Sequence, residues 1–164
     1  MKKSPIALRI ISLILLIGWM GLIFYLSHQN SGTSSNMSAG LIRRVLQVFI
    51  PETSGDELTN VIASLQFIVR KTAHLTLYLI LGAFALLHFS TYNRFTLIVK
   101  LSSSLVLSVL YAVSDEYHQT YIQGRSGEIR DVIIDSLGAI IGILLSLLIY
   151  KIFKTIKNKS VSKV

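Results

Sequence analysis

Four sets of polar and small residues in this chain recur at helical spacing, and together they hold most of its reactive side chains. Asp131, Asp135, Gly138 and Gly142 fall at i, i+4, i+7 and i+11, one face of a helix. Lys71, His74, Tyr78 and Gly82 form a second face, with Arg70 four residues before His74. Ser104, Ser108, Tyr111, Ala112 and Asp115 form a third, and if that helix continues, His118 and Gln119 lie above Asp115. Gly18, Gly21, Tyr25 and His28 form a fourth. The short connection YIQGRSGEIR keeps Arg125 near Asp115, Glu116 and Asp131. Arginine presents a planar fork suited to carboxylate or phosphate. Aspartate and glutamate suit ammonium groups or sugar hydroxyls, and His74 is a switchable donor or acceptor. His74 with Asp115, Glu116 or Asp135, assisted by Tyr78, has the composition of an acid–base pair. The expected ligand pocket is therefore His74, Tyr78, Asp115, Glu116, Gln119, Arg125, Asp131 and Asp135.

Other chemistries lack their signatures. There is no HExxH, no GxSxG and no CxxC, and cysteine is absent altogether. Histidine and carboxylates are metal-ligand types, but His74 and His118 lie in different segments with no local ligand spacing. No metal and no cofactor are expected.

The elements that must position these residues follow from composition. Of 164 residues, 52% are hydrophobic and 15% charged, with mean hydropathy +0.62. A soluble domain carries about 25% charged residues, so a soluble protein is excluded, and disorder is excluded by the high hydrophobicity. A helix needs roughly 20 mostly apolar residues to cross a bilayer. Four stretches qualify: about 6–26, 73–89, 95–113 and 132–153. Backbone groups inside lipid must bond internally, so these are helices. The expected fold is an all-α, integral-membrane four-helix bundle forming a single domain over residues 1–164. The first span follows Lys2 and Lys3 as a signal peptide would, but no A-x-A site follows it, and it is read as retained. Gly138 to Gly142 is a GxxxG match, which serves either inside the bundle or as a homo-oligomer contact. Asp135 sits about a turn inside the membrane, where a charge normally faces a bundle interior or a wet cavity.

The loop after the first span is more varied. Ser27 to Ser38 reads as a flexible exit loop. Leu41, Val45, Val48 and Phe49 then mark one amphipathic helix, ended by Pro51. Leu58, Val61, Ile62, Leu65, Ile68 and Val69 mark another, with Asp56 and Glu57 loading its N-terminus. Both are expected at the outer membrane surface, packed on lipid or on each other.

Charge sets the orientation. With the N-terminus inside, the inner segments hold Lys2, Lys3, Arg9, Arg94, Lys100, Lys151, Lys154, Lys157, Lys159 and Lys163, and no acid. Arg43, Arg44, Arg70, Lys71, Arg125, Arg130 and all eight acids fall outside or in the outer half of the fourth span. This is a positive-inside pattern with both termini cytoplasmic. The net +8 is thus an orientation signal and not a nucleic-acid footprint, and the basic C-terminal tail is expected near anionic headgroups.

The run SDEYHQTYIQGRSGEIRDVIIDSLGAIIG (Ser114 to Gly142) resembles the signature of VanZ-like membrane proteins. RKTAHLTLYLILG (Arg70 to Gly82) matches that family's His and Tyr positions, and FYLSHQNSG (Phe24 to Gly32) resembles its first motif, including Ser27 and Gln29. The resemblance implies a bacterial envelope protein of the cell membrane. The family's namesake is linked to resistance to teicoplanin, a lipid-tailed glycopeptide that binds cell-wall precursor. Lys71 beside Arg70 departs from the pattern and adds positive charge. The partners so implied are membrane lipid and either a glycopeptide antibiotic or a lipid-linked cell-wall precursor.

Four functions compete. A structural network would pair Arg70, Lys71, Arg125 and Arg130 with Asp115, Glu116, Asp131 and Asp135. A binding site would hold a lipid-linked or lipid-tailed ligand in an outward-facing polar pocket. An enzyme would act on an envelope lipid. A transporter would relay protons through Asp135.

Overall fold

A computed structural model describes residues 5–49 and 55–161. It is all-α: α1 (Ile6–Ser27), α2 (Ser31–Phe49), α3 (Gly55–Ser90), α4 (Leu97–Gln119) and α5 (Ile129–Val161). Four of these are long and apolar enough to cross a membrane, over Ile6–Ser27, Leu58–Ser90, Leu97–Gln119 and Ile129–Ile156. The expected spans are all present; three lie within longer helices, and the third starts two residues later than expected, at Leu97, because Thr96 caps α4. Lys2, Lys3, Pro51 and Lys163 lie outside the described residues, as do the side chains of Asp56, Glu57, Lys157 and Lys159.

The first loop is more ordered than its composition suggests. Only residues 28–30 separate α1 from α2. Asn30 caps α2, its side-chain oxygen accepting from the Thr33 N–H at 2.8 Å. One of the serines that read as loop is satisfied inside the helix: the Ser38 hydroxyl donates to the Ser34 and Ser35 carbonyls, each at 3.0 Å. Gln66 of α3 donates to the Ser35 carbonyl at 3.2 Å and fastens α2 in place.

The second amphipathic piece is helical, and it runs without a break into the second span. α3 is 36 residues long, about 54 Å at 1.5 Å per residue, against roughly 30 Å of hydrocarbon. Nothing between Val69 and Ala73 interrupts it: there is no proline or glycine, and its charged residues find polar surroundings. α2 packs on its early turns through Ile42, Leu58 and Ile62, with Leu46, Leu65 and Val69 around them. The stripe read from the sequence, Leu41, Val45, Val48 and Phe49, is exposed and takes no part in that contact. α2 is apolar on two sides, and the covered side is the one marked by Ile42 and Leu46.

α3 and α5 approach most closely. A Cβ at Gly138 would strike the Leu75 carbonyl, one at Gly142 the Leu79 carbonyl, and one at Gly82 the backbone of Ala139. Of the two uses open to the GxxxG match, these glycines serve the contact within the chain. α1 presents a different face from the one expected. Gly18 and Gly21 meet nothing, and Tyr25 is 63% exposed. Ser12, Leu16, Ile23 and Ser27 are buried instead, and the Trp19 indole donates to the Leu77 carbonyl at 2.9 Å. Leu16, Ile23, Tyr78, Leu81, Ala85 and Ala112 form the central core. At the end of the bundle where α3 finishes, Ser12 meets His88 at 3.1 Å and Arg9 lies over the Tyr92 ring at 4.9 Å. At the opposite end α1 and α4 finish and α5 begins, and the acids gather there.

Candidate functional site

That polar end is built from consecutive turns of three helices. On α4, Asp115, Glu116 and Gln119 are all buried, with Ser104, Ser108 and Ala112 below them. The helix does continue past the apolar run, as the stripe required. The Gln119 amide donates to Asp115 at 3.3 Å and to Glu116 at 3.1 Å. Its carbonyl oxygen accepts from Arg125 at 3.0 Å. Gln119 is therefore the hinge between the carboxylates and the arginine. Ser27, the last residue of α1, donates to Asp115 at 2.8 Å. The Glu128 N–H donates to Glu116 at 2.9 Å, which ties the connection back onto α4.

This connection turns at Gly124, whose φ of 74° is left-handed and whose Cβ would collide with the Ser31 side chain. The turn delivers Arg125 over the carboxylates. Arg125 makes no ion pair with them; its partner is the neutral Gln119. Burial, followed by the like charge of Arg70, pulls its guanidinium below the ordinary value. Arginine is charged at neutral pH regardless.

Pairing of four cations with four acids is not what the fold makes. Among the described residues, Lys71 takes Asp131 as a close partner and Glu128 at 3.6 Å, and the remaining contact is His74 with Asp135 at 3.6 Å. Arg70, Arg125 and Arg130 form no ion pair within 4.0 Å among those residues. The reason is geometric. Lys71 points across to α5, while Arg70, one residue earlier, turns about 100° away toward α1 and α2.

His74 and Tyr78 of α3 face Asp135 of α5 and Asp115 of α4. Asp135 and Tyr78 are both 0% exposed. Neither Asp135 oxygen, nor the Tyr78 hydroxyl, nor Oδ1 of Asp115, nor Nδ1 of His74 has a hydrogen-bond partner. Buried polar groups are normally satisfied, so this set of open valences is the most unusual feature of the molecule. All eight residues expected to line the pocket lie in this one cluster, but only His74, Gln119, Arg125 and Asp131 line the cavities beside it; Tyr78, Asp115, Glu116 and Asp135 are packed behind them. Ser27 and Lys71 also belong to it. The signal for Ser27 was available as the spacing Ser12, Leu16, Trp19, Ile23, Ser27, one continuous face of α1.

Beside the cluster is a cavity of about 360 Å³ between α1, α2 and α3. Leu26, Met37, Leu41, Val69 and Leu77 give it apolar walls, and Arg70, His74 and Arg125 also line it. A polar recess of about 120 Å³ shares those three residues and reaches Gln119, Glu128 and Asp131.

A family model described as VanZ/LLP1 matches residues 12–153. The chain belongs to the VanZ/LLP1 family. The match covers the second and third candidate spans, most of the first and fourth, and every residue of the polar cluster, so this VanZ-family cluster lies in the body of the domain and not in an appendage. Among curated proteins and solved structures, nothing matches the chain.

Proposed function

We propose that this protein binds a lipid-tailed or lipid-linked molecule with an anionic headgroup, with the polar end of the bundle on the outer side of the cell membrane and both termini in the cytoplasm. One observation carries the reading: two guanidiniums without ion-pair partners among the described residues line an otherwise mostly apolar cavity. The cavity has the size of a small-molecule site. Its walls suit an acyl chain, and Arg70 and Arg125 suit a phosphate or carboxylate. The ten basic residues and no acids of the inner segments support the orientation.

The test is equilibrium binding of a fluorescent-tailed anionic phospholipid, and of its zwitterionic counterpart, to the purified protein in nanodiscs. Preference for the anionic probe, reduced in Arg70→Ala, supports the proposal. Equal binding of both probes by both proteins contradicts it. The VanZ resemblance extends the ligand class to a lipid-tailed glycopeptide. A deletion strain more susceptible to teicoplanin than its parent, with unchanged vancomycin susceptibility, supports that extension. Unchanged teicoplanin susceptibility removes it.

A second reading is an enzyme acting on an envelope lipid. The unpartnered Asp135 beside His74 favours it. Mass analysis of lipids and precursors incubated with the purified protein tests it, and no turnover across a broad panel rejects it.

A further inference from the structure

His74, Glu116 and Asp135 come from three helices, and one ligand atom from each lies within 4.8 Å of the others. Two ligands on one ion at about 2.1 Å can be at most roughly 4.2 Å apart. The 3.6 Å from Nδ1 of His74 to Oδ1 of Asp135 falls inside that limit. It is also too long for a hydrogen bond. Small side-chain rotations close the rest.

Charge points the same way. Lys71 neutralises Asp131. Asp115 and Glu116 receive hydrogen bonds only from neutral donors: Ser27, Gln119 and the Glu128 amide. Asp135 is wholly buried, has His74 as its one basic neighbour among the described residues, and has both oxygens without a hydrogen-bond partner. A carboxylate placed so is costly unless a cation reaches it.

We infer that His74, Glu116 and Asp135 hold one divalent metal ion. An imidazole with two carboxylates and no thiolate fits zinc or manganese better than calcium or magnesium, which favour all-oxygen shells. Three protein ligands leave a coordination position open. His74 lines both the apolar cavity and the polar recess, so the site adjoins the space that Arg70 and Arg125 line. Oδ1 of Asp115 and the Tyr78 hydroxyl, both unpartnered, stand ready to orient a metal-bound water or headgroup oxygen. The inference rests on the cluster alone and holds whether or not a lipid occupies the cavity.

The experiment is a titration of chelator-stripped, full-length protein in nanodiscs with Zn²⁺ and, separately, Mn²⁺, checked by elemental analysis. One equivalent is expected to bind, with a rise in the unfolding temperature. Asp135→Asn, His74→Gln and Glu116→Gln should each weaken binding at least tenfold and remove that rise. Gly21→Ala, whose added Cβ meets nothing, should bind metal as the wild type does. The Asp135→Asn protein should unfold in chelator no earlier than the stripped wild type, so lost binding will not reflect lost fold. If it fails to fold, His74→Gln and Glu116→Gln decide. Folded wild-type protein that takes up no stoichiometric metal overturns the inference. So does undiminished binding in all the ligand variants, which would mark adventitious surface sites.

Discussion

Arg125 is held by a single neutral acceptor, Gln119, and stands beside a like charge, Arg70. A guanidinium so placed has most of its five donors free for a ligand. Arg125→Lys keeps the charge and loses the fork. The expected outcome is anionic-lipid binding weakened about tenfold, a little over 1 kcal/mol, with unchanged yield from the membrane. An unchanged affinity would mean that the guanidinium only props Gln119. Ser27→Ala removes one of the two donors to the buried Asp115. A buried carboxylate that loses a donor costs about 1–3 kcal/mol, so the unfolding temperature should fall by a few degrees. This role of Ser27 is legible in the α1 spacing, although Gly18 and Gly21 make the neighbouring face the more conspicuous one. A glycine marks close approach only where another backbone arrives, and at Gly18 and Gly21 none does.

At the scale of elements, the contact of α3 with α5 decides the geometry of the site. His74 and Tyr78 are on one helix and Asp131 and Asp135 on the other. Gly138 and Gly142 let the two backbones approach near enough for those side chains to meet. Gly142→Leu should cost several kcal/mol, by the general rule that overpacking costs about 1–3 kcal/mol or more, and folded yield should collapse. Gly21→Ala, where a Cβ meets nothing, should match or slightly exceed the wild type in thermal unfolding. Equal behaviour of the two variants would deny the close contact. The helix faces of α3, α4 and α5 were legible because each combines small and ionisable residues at 3.6-residue spacing in an otherwise apolar run. The helical state of residues 31–38 was not, because serine and asparagine read as loop unless a cap and a partner helix satisfy them, as Asn30 and Gln66 do here. That His74, Glu116 and Asp135 share one pocket was legible from the same faces; their approach to within 4.8 Å of one another was not, since no local spacing links residues on three helices.

For the whole molecule, scarcity of charge and its placement act together. The apolar helices leave many large side chains exposed, among them Ile10, Ile14, Leu110, Leu144 and Leu148. Such a surface suits lipid and not water. The orientation is testable without background, since the chain has no cysteine. Ser126→Cys should react with an impermeant thiol reagent in intact cells, and Asn158→Cys only after lysis. The reverse pattern would invert the topology and place the cavity in the cytoplasm.

The most direct measurement of the central claim is photo-crosslinking of the protein in membranes with an anionic phospholipid bearing a diazirine in its acyl chain. Peptide mapping should place label on the cavity walls, at Met37 and Leu41 and at Val69 to Leu77, and Arg70→Ala with Arg125→Ala should abolish that label while leaving the outer helix surfaces labelled. Label confined to lipid-facing positions such as Ile14 and Leu144, unaltered by removing both arginines, would contradict a headgroup site at the polar end of the bundle.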